Sequence, residues 1–89
     1  MEQMELDGNA IGGLLREIYT MEMTTAETTC AGCSTVNVIG QVDVYIHAPG
    51  TVVRCPACDN VLMRIVQGRG RYWLDLTGTR CLEFVTTER

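Results

Sequence analysis

Cysteine is the residue type whose spacing carries chemistry in this chain. Cys30-Ala-Gly-Cys33 and Cys55-Pro-Ala-Cys58 are two CxxC pairs with 21 residues, 34–54, between them. A tight turn between two cysteines aims both sulfurs at one point, and amides within the turn can donate to the thiolates. Two such knuckles set face to face complete a tetrahedron, which is the pattern read as a zinc site. Small or turn-forming residues are required inside each knuckle, and Ala31-Gly32 and Pro56-Ala57 qualify. The position after each pair often needs positive φ, which Asp59-Asn60 tolerates well and Ser34 less well. Four sulfurs leave no open coordination position for water or substrate, so the expected metal is structural. A redox role fits less well, because a redox CxxC opens a helix in a βαβ setting, whereas these pairs sit among strands and turns.

The elements that must position the cysteines are short. Residues 7–19 predict one amphipathic helix with Asp7 or Asn9 as N-cap, and Ile11, Leu14, Leu15 and Ile18 form one apolar stripe. Gly12 and Gly13 interrupt it, each costing about 1 kcal/mol relative to Ala, so the helix needs a surface to pack on. Thr24–Thr29 leads into the first pair, and Gln41–His47 alternates with Val42, Val44 and Ile46 on one face. Ala48-Pro49-Gly50-Thr51 suits a type II turn, after which Thr51–Arg54 returns to the second pair. Val61–Val66 and Arg71–Leu76 predict two strands joined by a Gly68-Arg69-Gly70 hairpin loop, with a last strand over Cys81–Val85. The expected organisation is a flexible segment 1–6, one domain over 7–86 and a tail 87–89.

Size and charge restrict the rest. An 89-residue chain buries roughly 60 % of its unfolded surface and is marginal without a staple. An odd count of five cysteines fits a disulfide framework poorly. The N-terminal MEQMELDG is acidic and lacks an apolar run of signal length, and nowhere are 18 apolar residues consecutive. The expected location is therefore a reducing cytoplasm, with no membrane partner. The net charge is −4. Residues 1–50 hold one Arg against seven acidic side chains, whereas residues 51–89 hold six Arg against four. Overall acidity disfavours nonspecific nucleic-acid binding without removing it as an alternative.

Other side chains have a bland and a sharp reading. Cys81 reads as a small buried hydrophobe in the last strand, with a reactive or fifth-ligand thiol as the alternative. His47 reads as a solvated turn residue rather than a ligand. Arg69, Arg71, Tyr72 and Trp73 cluster at a hairpin tip, either as an ordinary hairpin or as a contact patch, since Arg and Trp dominate interface hot spots. Leu14 and Ile18 of the helix stripe are the other candidate partner contacts. Arg64, inside an apolar strand, calls for Asp75 or Asp43 across the sheet. With His47 the only histidine, no Ser/His/Asp or Cys/His catalytic set assembles, and Gly68-Arg-Gly70 lacks the helix of a phosphate loop.

On these residues the chain resembles the zinc-ribbon class, two knuckles on an antiparallel sheet of about three strands, over residues 24–76. Cys-Pro-Ala-Cys is also similar to the second knuckle of rubredoxins, which hold iron for electron transfer. The glycine that follows each rubredoxin pair and the dense aromatic core of that family are missing here. A narrower likeness rests on Leu6-Asp7-Gly8-Asn9-Ala10, Ala48-Pro49-Gly50 with Arg54-Cys55-Pro56, and Trp73-Leu74-Asp75-Leu76. These segments resemble a family of small actinobacterial proteins of unknown function. That likeness implies a bacterial origin and an added N-terminal helix, and no activity.

The expected fold is thus a small metal-bound α+β domain, a zinc ribbon of short antiparallel strands with an N-terminal helix. Cys30, Cys33, Cys55 and Cys58 are expected to hold Zn²⁺, with Fe as the alternative. The expected role is a non-catalytic protein-interaction or assembly module, with a nucleic-acid-binding ribbon and an iron electron-transfer protein as alternatives. Oligomeric state is left open.

Overall fold

The computed structural model describes residues 4–47 and 50–85. The described chain runs β1 (Met4–Asp7), α1 (Gly12–Tyr19), β2 (Glu27–Cys30), β3 (Val36–Val38), β4 (Asp43–His47), β5 (Gly50–Arg54), β6 (Val61–Gly68), β7 (Arg71–Asp75) and β8 (Thr79–Glu83). Single 3-10 turns over Gly8–Ile11 and Ile39–Gln41 precede α1 and β4. The strands form two antiparallel sheets. One has five strands in the order β1-β4-β5-β6-β7, and the other three in the order β3-β2-β8. The sheet of about three strands expected from sequence is therefore replaced by a larger pair of sheets.

The differences have local causes. The segment expected to be free before residue 7 supplies edge strand β1, with Leu6 opposite Val44 and Asp7 opposite Asp43. The expected helix over 7–19 is α-helical only from Gly12. Asp7 is the N-cap as expected, its carboxylate accepting from Asn9 N at 3.1 Å, but it opens the 3-10 turn. That turn is wedged against the second one: a Cβ on Gly8 would lie 1.4 Å from the Ile39 carbonyl oxygen. Only glycine permits this approach. β3, which sequence reasoning missed, is the three-residue strand Val36-Asn37-Val38, whose alternation is too short to stand out. Residues 48–49 of the expected type II turn and the tail over 87–89 lie outside the described residues.

The β6–β7 hairpin closes on a two-residue loop, since Gly68 faces Arg71. Arg69 (φ 51°) and Gly70 (φ 74°) both adopt left-handed backbone, the type I′ turn that matches strand twist.

The core lies between the sheets and α1. Ile11, Leu15, Met23, Ile39, Val42, Val44, Val53, Leu62 and Ile65 are fully buried, and each buries enough apolar surface to contribute about 1.5–3 kcal/mol. The helix stripe is spent here: Ile11 and Leu15 are buried, while Leu14 and Ile18 are half-buried and packed on the same cluster. α1 also touches both sheet systems. Tyr72 of β7 donates its hydroxyl to Glu17 at 2.7 Å, and Tyr19 meets Phe84, just past β8, at 6.1 Å between ring centroids.

Candidate metal centre

Each CxxC pair caps an antiparallel hairpin, β2–β3 for the first and β5–β6 for the second. The two turns are built alike. Ser34 N donates to Cys30 O at 2.9 Å, and Asp59 N to Cys55 O at 2.7 Å. Cys30 N then bonds to Thr35 O at 2.9 Å, and Cys55 N to Asn60 O at 2.8 Å. Inside each turn an amide faces the leading sulfur, Gly32 N at 3.3 Å from Cys30 Sγ and Ala57 N at 3.4 Å from Cys55 Sγ. Both turns close through the positive φ expected after the pair, 66° at Ser34 and 68° at Asp59. The knuckles belong to different sheets, so whatever their sulfurs share joins the two sheets.

All four sulfurs lie within 4.8 Å of one another. Cys30 Sγ is 3.7 Å from Cys58 Sγ, and Cys33 Sγ is 3.7 Å from Cys55 Sγ. These separations are too long for disulfides, and the cysteines are free. They match the edge of a tetrahedron whose metal–sulfur bonds are about 2.3 Å, which is about 3.8 Å. Cys30 and Cys55 are buried and Cys33 and Cys58 exposed, so the cluster sits half-sunk between the sheets.

Side-chain donors cross between knuckles. Asn60 Nδ2, from the second hairpin, reaches Cys30 Sγ of the first at 3.6 Å, and Asn37 Nδ2 approaches Cys55 Sγ at 4.0 Å. Cys33 Sγ lies 3.1 Å from Thr35 Oγ1. The electrostatics of the metal-free cluster are in conflict. Burial opposes ionisation of Cys30, yet the Cys33 and Gly32 amides, the Cys58 thiol and the Asn60 amide together bring it down to about 6. Cys33 is also lowered, chiefly by the Thr35 hydroxyl and amide. At Cys58 the Asn60 amide favours the thiolate, but Cys33, burial, Cys30 and Cys55 outweigh it and push the thiol up to about 12. Thiolates this close repel one another, and a dication at their centre removes the conflict. Sulfur type, spacing and polarisation all fit a bound metal ion.

Two further contacts fix the cluster to the sheets. Ala31 N, in the first knuckle, donates to Gly78 O at 2.9 Å. Buried Thr28 donates to Thr79 Oγ1 at 3.2 Å, and Thr79 Oγ1 donates to Leu62 O at 2.9 Å, linking β2 and β8 to β6. Gly78 lies so close to β6 that a Cβ there would sit 1.6 Å from Val61 O. Sequence reasoning passed over Gly78 and Asn37, and named Asn60 only for its tolerance of positive φ and not as a donor to sulfur.

The remaining sequence candidates lie elsewhere. Cys81 is exposed, which corrects the expectation of a buried side chain. Leu82 stands opposite buried Thr28 and faces inward, so Cys81, its neighbour opposite Thr29, faces out and stays apart from the cluster. His47 is exposed at the end of β4. Arg64 meets Asp75, its register partner, at 3.9 Å, and both are largely solvent-accessible. Arg69, Arg71, Tyr72 and Trp73 are all exposed on the β6–β7 hairpin, so the structure brings these four together at one sheet edge and leaves Leu14 and Ile18 against the core. Among the described residues, no helix is long and apolar enough to cross a membrane.

No curated protein and no solved structure gives a significant match to this sequence. A family model does, over residues 1–87, which includes both knuckles and both sheets; the chain belongs to the family of unknown function DUF6510.

Proposed function

We propose that this chain is a non-catalytic zinc-ribbon module of the bacterial cytoplasm, in which one structural Zn²⁺ holds two knuckles together and an exposed sheet edge serves protein interaction. The observation that carries it is the closed set of four sulfurs within 4.8 Å, all from cysteines in matching turns. Four thiolates saturate zinc, which leaves no position for a substrate and makes the metal a brace.

Nucleic-acid binding has less support. It needs a free basic face, whereas Arg54 bonds to Asp59 O at 2.9 Å, Arg64 meets Asp75, and Arg80 donates to Ser34 Oγ. The interaction surface favoured instead is β7, where Trp73 is 52 % exposed.

The test is elemental analysis of the purified protein followed by chelation monitored by circular dichroism. One zinc per chain, no colour and a partial loss of β-sheet signal on chelation are expected. A red, iron-loaded protein would move the reading to electron transfer, and a metal-free protein that keeps its full β-sheet signal would overturn it. For the interaction role, a photo-crosslinking amino acid replacing Arg69 is expected to give a protein adduct in cells, lost with Trp73→Ala while zinc content is unchanged. No adduct from that position would remove the role.

A further inference from the structure

Strand β7 ends the five-stranded sheet, and among the described residues its outer side has no strand partner. All five of its residues are exposed. Unprotected edges of this kind invite pairing with another chain, and proteins normally blunt them with charges, bulges or covering segments. Here the edge is regular and carries large apolar side chains, Trp73 at 52 %, Leu74 at 39 % and Tyr72 at 37 % exposed. The two faces differ. Tyr72 and Leu74 look toward the core side, where Tyr72 reaches Glu17 and Leu74 stands opposite buried Ile65. Arg71, Trp73 and Asp75 share the outer face, because side chains alternate along a strand. Their neighbours on β6 are Gly68, Val66 and Arg64 respectively.

The order Arg71, Trp73, Asp75 decides what fits this edge. It places a cation at one end of the strand, an anion at the other and the largest apolar side chain between them. We propose that β7 pairs antiparallel with β7 of a second copy of this chain about a two-fold axis at Trp73, joining two five-stranded sheets into one of ten strands. Such an interface is isologous, so each contact occurs twice. In this register Arg71 of each copy stands opposite Asp75 of the other, and the two Trp73 side chains meet at the centre with a Val66 on either flank. Each Asp75 then lies between its own Arg64 and the second copy's Arg71. Asp75 is ready for that role: the Thr77 hydroxyl and amide, at 2.7 and 3.0 Å, hold its carboxyl below the usual range and keep it charged.

Other arrangements of two copies fail on the same residues. Parallel pairing sets Arg71 against Arg71 and Asp75 against Asp75. Slipping the antiparallel register by two residues faces Arg71 with Trp73 and forfeits both ion pairs. Opposite charges directly across a sheet are favourable and like charges are not, so the sequence of the strand selects one register. Among the described residues Arg71 has no ion-pair partner within its own chain, and it is free to serve a second copy. A pairing of five-residue strands is a small interface, so a weak dimer with Kd on the order of 10 µM is expected.

This inference rests on the reading of β7 as an interaction edge, and sedimentation velocity of the metal-loaded full chain tests it separately. From about 1 to 500 µM, the wild-type mass is expected to rise from 9.8 kDa toward twice that value. Arg71→Asp is expected to weaken dimerisation at least about tenfold, with zinc content and circular dichroism unchanged. Asp75→Arg is expected to do the same, and an equimolar mixture of the two variants to regain the dimer, because the two introduced charges face each other across one pair and the native Asp75 and Arg71 across the other. Asp75→Arg also removes the Thr77 turn; if it misfolds, Arg71→Asp alone decides. A wild type that stays at 9.8 kDa throughout, or an Arg71→Asp variant that dimerises like the wild type, would overturn the inference. An adduct of the Arg69 crosslinker with a different protein, from a monomeric chain, would overturn pairing with a copy and leave the interaction role standing.

Discussion

The two sheets of this molecule hold together by different means. The five-stranded sheet supplies Val44, Val53, Leu62, Met63 and Ile65 to the core, and its central strands have neighbours on both sides. The three-stranded sheet buries only Thr28 and Cys30 from its strands, with Ala26 just before them. β3 is three residues long and β8 shows no fully buried residue. Hydrophobic burial explains the first sheet. The second depends on its links to the first: the four sulfurs, the Thr28–Thr79–Leu62 relay and the Ala31–Gly78 bond. Where this small chain lacks apolar surface it places four cysteines that could hold a metal ion, and the cluster lies at the joint between sheets.

Metal removal should therefore break the molecule unevenly, and it is the largest effect expected. A structural zinc contributes roughly 10 kcal/mol to folding, as much as the whole stability of a typical domain. After chelation, hydrogen exchange should show complete loss of protection over residues 27–38 and 79–83. Amides of β4, β5 and β6 should retain measurable protection. Equal loss in both sheets would show that the five-stranded sheet cannot persist alone, and the contrast between them would be lost.

Gly78 probes the joint without touching a sulfur. A Cβ there would meet the Val61 carbonyl at 1.6 Å, and backbone on backbone cannot yield as a flexible side chain would. Gly78→Ala is expected to cost about 3 kcal/mol or more, because β6 and the strap before β8 must separate. Gly13→Ala is the control. Its Cβ meets nothing within 4 Å on the exposed side of α1, so it should stabilise by about 0.5–1 kcal/mol. Urea melts of the two zinc-loaded variants should move in opposite directions.

Acid should act on the same joint. The depressed Cys30 value stabilises the metal-free fold above the unfolded thiol value, about 8.5, and that contribution fades as pH falls through about 6. Cys58 has the opposite sign: its raised value stabilises the metal-free fold below the unfolded value and fails only as pH rises through about 12. At neutral pH, then, Cys58 carries a proton that a metal must expel. Zinc uptake should release at least one proton, and affinity should fall at least about tenfold per unit between pH 8 and pH 6. Competition with a chromophoric chelator at three pH values measures this. An affinity that does not vary with pH would mean that the thiols are already ionised together.

The same contrast explains what the sequence made legible. Both knuckles, the β5–β6–β7 run and the apolar stripe through Ile11 and Leu15 follow local rules of spacing and alternation, and they are visible residue by residue. The Arg64–Asp75 pair was legible because a strand period fixes which residues can face each other. The three-stranded sheet was not legible. β3 alternates as Val36-Asn37-Val38 over too few residues to announce a strand, and β8 joins β2 across some fifty residues in a register that alone decides which way Cys81 faces. β1 was hidden because the three strand residues before Asp7 look like an acidic leader until β4 is there to pair with them. Gly8 and Gly78 read as loop glycines, and only the tertiary approach of a carbonyl shows why each must lack a side chain.

The smallest effect separates the two knuckles themselves. Ser34 and Asp59 occupy the same position in matching turns, at φ 66° and 68°. Left-handed backbone costs an ordinary residue roughly 1–2 kcal/mol, and Asn and Asp bear it best because their short polar side chains bond locally. Asp59 already has that advantage, and its ion pair with Arg54, 4.0 Å long and largely exposed, adds little. Ser34 does not. Ser34→Asn should raise stability by about 0.5 kcal/mol, or roughly 2–4 °C in Tm, whereas Asp59→Asn should stay within about 0.5 kcal/mol of wild type in either direction. The two melts belong on zinc-saturated protein, so that both turns are closed. If the first knuckle gained nothing while the second lost stability, turn strain would not be what distinguishes them, and the Arg54–Asp59 contact would have to matter more than its exposure allows.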